Sequence, residues 1–247
     1  MSFKDWIFGK ETSDDFSIVD SNYVSGSSAN AELIDTSSDS FTVPKKLDKD
    51  LNKNLEVMKV IYNTEINSDI VLRPFSFKIN NKSFSAFIVY IDGLSDSDLI
   101  NNFLLKPLMI EKHYVNAIPD DITDYVYNFL IPQNSVKLIN KFNKIASSIN
   151  SGNCVLFINT IDEAFDIDVK NFKQRSVDTP SNETVIMGPQ EAFVENIRTN
   201  TSLLRRIVNN ENLVIENIEI GKISRTRCAL CYMHNLTNRW FDRWDKV

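Results

Sequence analysis

The sequence predicts an α/β chain of the α+β kind: two small subdomains, each with helices packed on a mixed or antiparallel sheet, after a disordered acidic segment. Three observations lead there. Apolar residues alternate between helical and strand spacing along residues 45–237. The strand-like runs are short and are separated by Asn, Gly and Ser turns. Residues 11–43 are rich in Ser, Asp, Asn and Thr with no apolar period, so they cannot bury enough surface to offset the entropy of ordering. The expected divisions are a disordered segment at 1–44, subdomains at 45–131 and 132–237, and an aromatic and basic tail at 238–247.

In the first subdomain, Leu47, Leu51, Leu55, Met58 and Tyr62 recur at helical spacing. Leu72–Ile79 and Phe84–Asp92 then read as a hairpin around Asn80-Asn81-Lys82. Ser95, with Asp98 three residues on, predicts the cap of a helix over 96–105 that ends before Pro107. Ile122, Tyr125, Val126, Phe129 and Leu130 predict another helix over 120–130.

The second subdomain begins with helical spacing at Val136, Ile139, Phe142, Ile145 and Ile149, ended by Ser151-Gly152-Asn153. Cys154–Asn159 is a continuous apolar run, the pattern of a fully buried strand. Ala164–Val169 reads as a further strand. Leu213–Ile220 and Thr226–Met233 follow as a pair joined at Gly221-Lys222. Between them, residues 189–208 predict a helix opened by Gly188 as N-cap and Pro189 at the first position, where its missing N–H is no loss. Glu191 and Glu195 near its start and Arg205-Arg206 at its end complement the helix dipole.

The chain has 247 residues, 43% of them hydrophobic, enough for a real core. Its formal net charge of −6 lies wholly in residues 1–44, where Lys4 and Lys10 face eight acidic residues. The remainder is neutral and has no basic stripe, which argues against nucleic acid as a partner. No basic leader with an apolar run is present, and no stretch nears the ~18 apolar residues of a membrane span, so a soluble, non-exported protein is expected. Three cysteines, an odd number, fit a reducing compartment.

The chemistry-bearing patterns are sparse. The six glycines are scattered at 9, 26, 93, 152, 188 and 221, so no Gly-rich phosphate cradle exists. Cys228-x-x-Cys231-x-x-His234 offers three metal-type ligands. Positions three apart on a strand face opposite ways, however, so buried, inert cysteines are the expectation. His113 and His234 lie in no nucleophile–base pattern, and the acids at 162–168 read as solvated. No catalytic residue, cofactor or metal is expected. Arg198, Arg205, Arg206, Arg225 and Arg227 read by default as a solvated helix end, with a partner-facing or anionic-lipid surface as the functional alternative.

One stretch carries a resemblance. Arg175, Pro180, Glu183, Gly188, Pro189, Glu191, Phe193, Glu195, Asn200, Leu204, Arg205 and Arg206 match, in order and spacing, a signature of the GerA-type spore germinant receptor A subunits. Thr179, Met187 and Gln190 depart from that pattern. Asn67–Arg73, the Ile88–Leu94 run containing Asp92-Gly93, Leu105–Met109, Gly152–Asn159 and Glu219–Tyr232 resemble the same family more weakly. The likeness covers roughly 47–237, and the tail at 238–247 differs from the family's membrane-proximal segment.

The resemblance implies a non-enzymatic N-terminal domain on the cytoplasmic side of the spore inner membrane. Such a domain would relay germinant sensing to B-type and C-type partner subunits and to the membrane part of an A subunit. The other reading is a nutrient-binding module that holds a small molecule between the subdomains. Residues 95–105 and the helix at 189–208 are the expected contact elements.

Overall fold

A computed structural model describes residues 43–80, 82–110, 122–170 and 193–237. The acidic segment up to residue 42, the tail from 238 and the Gly188-Pro189 corner lie outside these residues.

Helix α1 (Leu51–Tyr62) begins where the Asp50 side chain accepts the Asn52 N–H, and it ends at Asn63 in the left-handed conformation. Its buried face is Leu51, Asn54, Val57, Met58 and Tyr62, close to the face expected from the sequence. Strands β1 (Ile70–Ile79) and β2 (Lys82–Ile91) form the expected hairpin, in register from Ile70↔Ile91 to Ile79↔Lys82. Strands β3 (Val136–Ile139), β4 (Cys154–Ile158) and β5 (Ala164–Ile167) complete a five-stranded sheet in the order β1-β2-β4-β5-β3, with every pairing antiparallel. The boundary expected at 131/132 therefore falls between strands of one sheet.

Both faces of that sheet are covered, which explains why β2 and β4 read as nearly continuous apolar runs. Phe87, Val89 and Ile91 of β2, with Val155 and Phe157 of β4, pack with α1 and with α5 (Phe142–Asn150). Phe84, Ala86 and Ile88, with Cys154, Leu156 and Ile158, pack against the helical segments on the opposite side. Phe87 and Phe157 are register partners whose rings stack 4.3 Å apart.

Three expectations are corrected here. Ser95 does not cap the next helix: Asp96 does, accepting the N–H groups of Asp98 and Leu99, while Ser95 donates to Gly152 C=O. That helix also does not stop before Pro107. It runs as α2 (Ser97–Ile100), a π-helical turn (Asn101–Leu105) and α3 (Lys106–Ile110). The wide turn, with Lys106 N–H bonded to Asn101 C=O, brings Pro107 into the first turn of α3, where a ring and a missing N–H are tolerated. Finally, Val136–Ile139 is strand, because pairing with β5 overrides a helical spacing that only α5 realises. The expected helix over 120–130 is present as α4 (Ile122–Tyr125) followed by a second π-helical turn (Val126–Leu130).

Helix α6 (Ile197–Ile207) and strands β6 (Leu213–Ile220) and β7 (Thr226–Met233) form the last part, with β6 and β7 as a separate two-stranded sheet. Among the described residues, no helix is long and apolar enough to cross a membrane.

Candidate functional site

Helix α6 starts at Ile197, eight residues later than the sequence reading placed it. Asn196 is its N-cap and accepts the Thr199 N–H. The Asn200 amide holds the preceding chain away from helix by accepting from Val194 N–H at 2.8 Å and donating to Val194 C=O at 2.7 Å. Glu195 therefore precedes the helix and does not load its first turn. Arg205 and Arg206 do occupy the last turn, as expected.

The inward face of α6 is polar. Arg198, Thr201 or Ser202, and Arg205 recur at three- and four-residue spacing, and Thr201 and Arg205 are the buried residues of the helix. Arg205 is 2% exposed. Its Nε and Nη2 each donate at 2.8 Å to one oxygen of Asp69, and Nη2 also donates to Asn67 Oδ1 at 2.9 Å. The expectation of a solvated arginine is thus wrong at 205. An arginine can be buried here because a fork of donors meets a carboxylate in the same plane.

Asn67 is satisfied on both sides. Its Oδ1 also accepts from Ile215 N–H, and its Nδ2 donates to Tyr62 C=O and Leu213 C=O. Ser68 N–H donates to Ile215 C=O, and Ser68 Oγ accepts from Asn217 N–H. The start of β1 thereby stitches α6 and β6 to the main sheet. Tyr62 donates to Ala146 C=O and Asn150 Oδ1, and Asn150 in turn donates to Glu211. Burial pushes the Tyr62 hydroxyl well above its usual range, with the Glu211 charge adding to the shift and Arg205 opposing it.

A second contact lies at the end of β2. Asp92 pairs with Arg198, and Gly93 has φ +95°, a left-handed conformation. A Cβ on Gly93 would run into Ser202 Oγ, so a side chain there would obstruct α6.

The expected signature residues therefore divide. Arg205 and Asp92 take part in the ion pairs that tie α6 to the rest, Gly93 leaves room for it, and Asn200 fixes the turn before it. Phe193, Glu195 and Arg206 lie at the surface, and Leu204 is half-buried. Arg175, Pro180, Glu183, Gly188, Pro189 and Glu191 lie outside the described residues. Asn67 and Asp69 are central, whereas the sequence marks them only as part of the weaker Asn67–Arg73 resemblance and assigns them no role. The signal available for them was the polar stripe on α6, which needs an acid opposite it.

Among the described residues, no group of three metal-type ligands converges. Of the three cysteines only Cys154 is buried, with burial pushing its thiol far up. Cys228 and Cys231 are half-exposed, so the expected burial is corrected for those two.

A sequence model of the family described as "Bacillus/Clostridium GerA spore germination protein" matches residues 56–241. The chain belongs to the GerA spore germination protein family. It is 30% identical over 193 residues to spore germination protein B1 of Bacillus subtilis, an alignment that spans 77% of this chain and 38% of that protein. It is 32% identical over 194 residues to the uncharacterized membrane protein YfkQ of the same organism, spanning 78% and 36%. The chain thus spans little more than a third of the length of these curated relatives. Its fold is similar to the crystal structure of the N-terminal domain of the A subunit of the Bacillus megaterium spore germinant receptor GerK3. That likeness has a TM-score of 0.55 and 28% identity, and it covers 80% of this chain and 69% of that one.

Proposed function

We propose that this chain acts as the N-terminal domain of a spore germinant receptor A subunit, and that it works by protein contact with no bond made or broken. In this reading it lies on the cytoplasmic side of the spore inner membrane. It relays germinant sensing to B-type and C-type partner subunits and to the membrane part of an A subunit.

One observation carries the reading: α6 is seated by polar contacts and leaves apolar side chains at its two ends uncovered. Arg205 is buried against Asp69 and the half-exposed Arg198 pairs with Asp92, while Ile197 and Ile207 are 37% and 69% exposed and Phe193, just before the helix, is 63% exposed. A helix that seats itself through hydrogen bonds keeps its apolar side chains for another surface. The seat is also geometrically specific, since a bidentate arginine fixes the helix in rotation and in height. A partner pressing on α6 therefore presses on the start of β1 and, through it, on the whole sheet.

The test is Ile197→Glu with Ile207→Glu in the receptor, with thermal unfolding of the domain as the check on folding. Loss of co-purification with the other receptor subunits, together with loss of the nutrient response of the spores, is the expected outcome. Full retention of both sinks the reading. Titration calorimetry of the domain against amino acids, sugars and nucleosides addresses the other class, because saturable heat would make it a nutrient-binding module.

A further inference from the structure

The two apolar cores that cover the five-stranded sheet are complete without the last part of the fold. Among the described residues, every member of either core, and every side chain packed against it, comes from residues 43–169. Leu213, Val214 and Ile215 of β6 are buried, yet they belong to neither core. Helix α6 buries no apolar side chain fully; its buried residues are Thr201 and Arg205.

What joins α6, β6 and β7 to that sheet is mostly polar among the described residues. Arg205 meets Asp69 and Asn67, Arg198 meets Asp92, and Asn150 donates to Glu211. Asn67 and Ser68 bond the backbone of Leu213, Ile215 and Asn217. Such bonds fix position well but add little net stability, because water replaces each of them on opening. One group gains by opening: Arg205 Nη1 is buried with no acceptor among the described residues, and water supplies one. Once detached, a two-stranded sheet and one eleven-residue helix are too small to keep their own structure.

We propose that α6, β6 and β7 are one cooperative unit that detaches and loses its structure together while the five-stranded sheet stays folded. The chain then moves between two states, attached and detached, well short of global unfolding. Any ligand of the seated α6 raises the cost of opening, so the unit is a conformational device that binding can set. The inference does not depend on the receptor reading and is tested on the chain alone.

Particular amides separate the two events. Ser68 lies far from the unit in sequence, but its N–H is covered by Ile215 C=O at 2.8 Å, so its exchange is tied to β6. Residues 86–89 of β2 pair with 155–158 of β4 at the centre of the sheet, and their amides report the sheet alone. Ile88 is buried in a core that α6, β6 and β7 do not enter. Asp69 lies on the junction itself.

Native-state hydrogen exchange of the chain at low denaturant is expected to show two tiers. Amides of α6, of the β6–β7 ladder and of Ser68 share one opening, whose denaturant slope lies between zero and that of global unfolding. Amides of the β2–β4 ladder exchange at least about tenfold more slowly, with the full slope. Ile88→Val weakens the attached and detached states alike, so it is expected to speed the slow tier about fivefold and leave the fast tier unchanged. Asp69→Asn weakens only the attached state, so it is expected to speed both tiers by one common factor of at least about ten. A single tier in the wild-type chain overturns the proposal, and so does a fast tier in which α6 and the β6–β7 ladder open separately. Equal acceleration of both tiers by Ile88→Val, or acceleration of one tier alone by Asp69→Asn, overturns it as well.

Discussion

Arg205 grips both oxygens of Asp69 at 2.8 Å across 136 residues of sequence, with both side chains nearly sealed from water. Asp69→Ala strands the guanidinium without its counter-charge, so a loss of about 3–5 kcal/mol in urea unfolding is expected. Asp69→Leu combined with Arg205→Met should lose less than the sum of the singles, because neither charge is left buried alone. Strict additivity would show that the pair is not coupled.

Gly93 is the point where the end of β2 passes α6. Gly93→Ala is expected to lower stability by about 1–3 kcal/mol, from the left-handed backbone and the contact with Ser202 Oγ. Adding Ser202→Ala recovers part of that loss, because the Ser202 Cβ stays 3.5 Å from the new methyl. A double variant no better than the single would mean the backbone term dominates.

Tyr62 gives a pH signature. Its hydroxyl titrates well above the usual ~10 in the folded chain, whereas the unfolded chain titrates near that value. Below pH ~10 both states keep the proton, and stability is full on this account. Above it the unfolded state sheds protons first, so stability falls as pH rises through the folded value. Tyr62→Phe gives up the bonds to Ala146 and Asn150 at neutral pH, yet its stability should decline less steeply above pH ~10. Parallel alkaline profiles for the two proteins would refute this.

The cysteines should separate by reactivity. With a disulfide-exchange reagent at neutral pH, Cys228 and Cys231 are expected to react in the folded chain, and Cys154 only after unfolding. Cys231 should be the slower of the reactive pair, because partial burial and the Asp69 charge raise its thiol. Labelling with peptide mapping reads all three.

Much of this architecture was legible residue by residue. The hairpin at 70–91 follows from alternation around a polar turn, and β4 from five apolar residues in a row. Those elements are dictated by local pattern and confirmed by burial on the predicted faces. Val136–Ile139 was misread because four residues fit either period, and only pairing with β5 decides between them. The start of α6 was misread for a related reason. Pro189 is a good opening residue, but the Asn200 amide, four residues into the helix, clasps Val194 and sets the boundary at Asn196.

The site was half legible. The signature residues on α6 and the Asp92-Gly93 corner were noted in separate blocks, and nothing local says that they touch. Arg205 was placed in water because an arginine at a helix end is usually there. Its burial depends on an acid met only through the fold, and no window of sequence short enough to show periodicity contains both residues.

That separation has a consequence for synthesis. A chain emerging from its amino end has finished its five-stranded sheet by Ile167, while Arg205 has yet to be translated. Until then the Asp69 carboxylate and the Asn67 Oδ1 stand at the margin of the sheet without the Arg205 and Ile215 donors that later fill them. The segment that carries α6 and β6 is therefore a lock fitted to a door already hung, and a chain cut before it is expected to keep the sheet with that seam ajar.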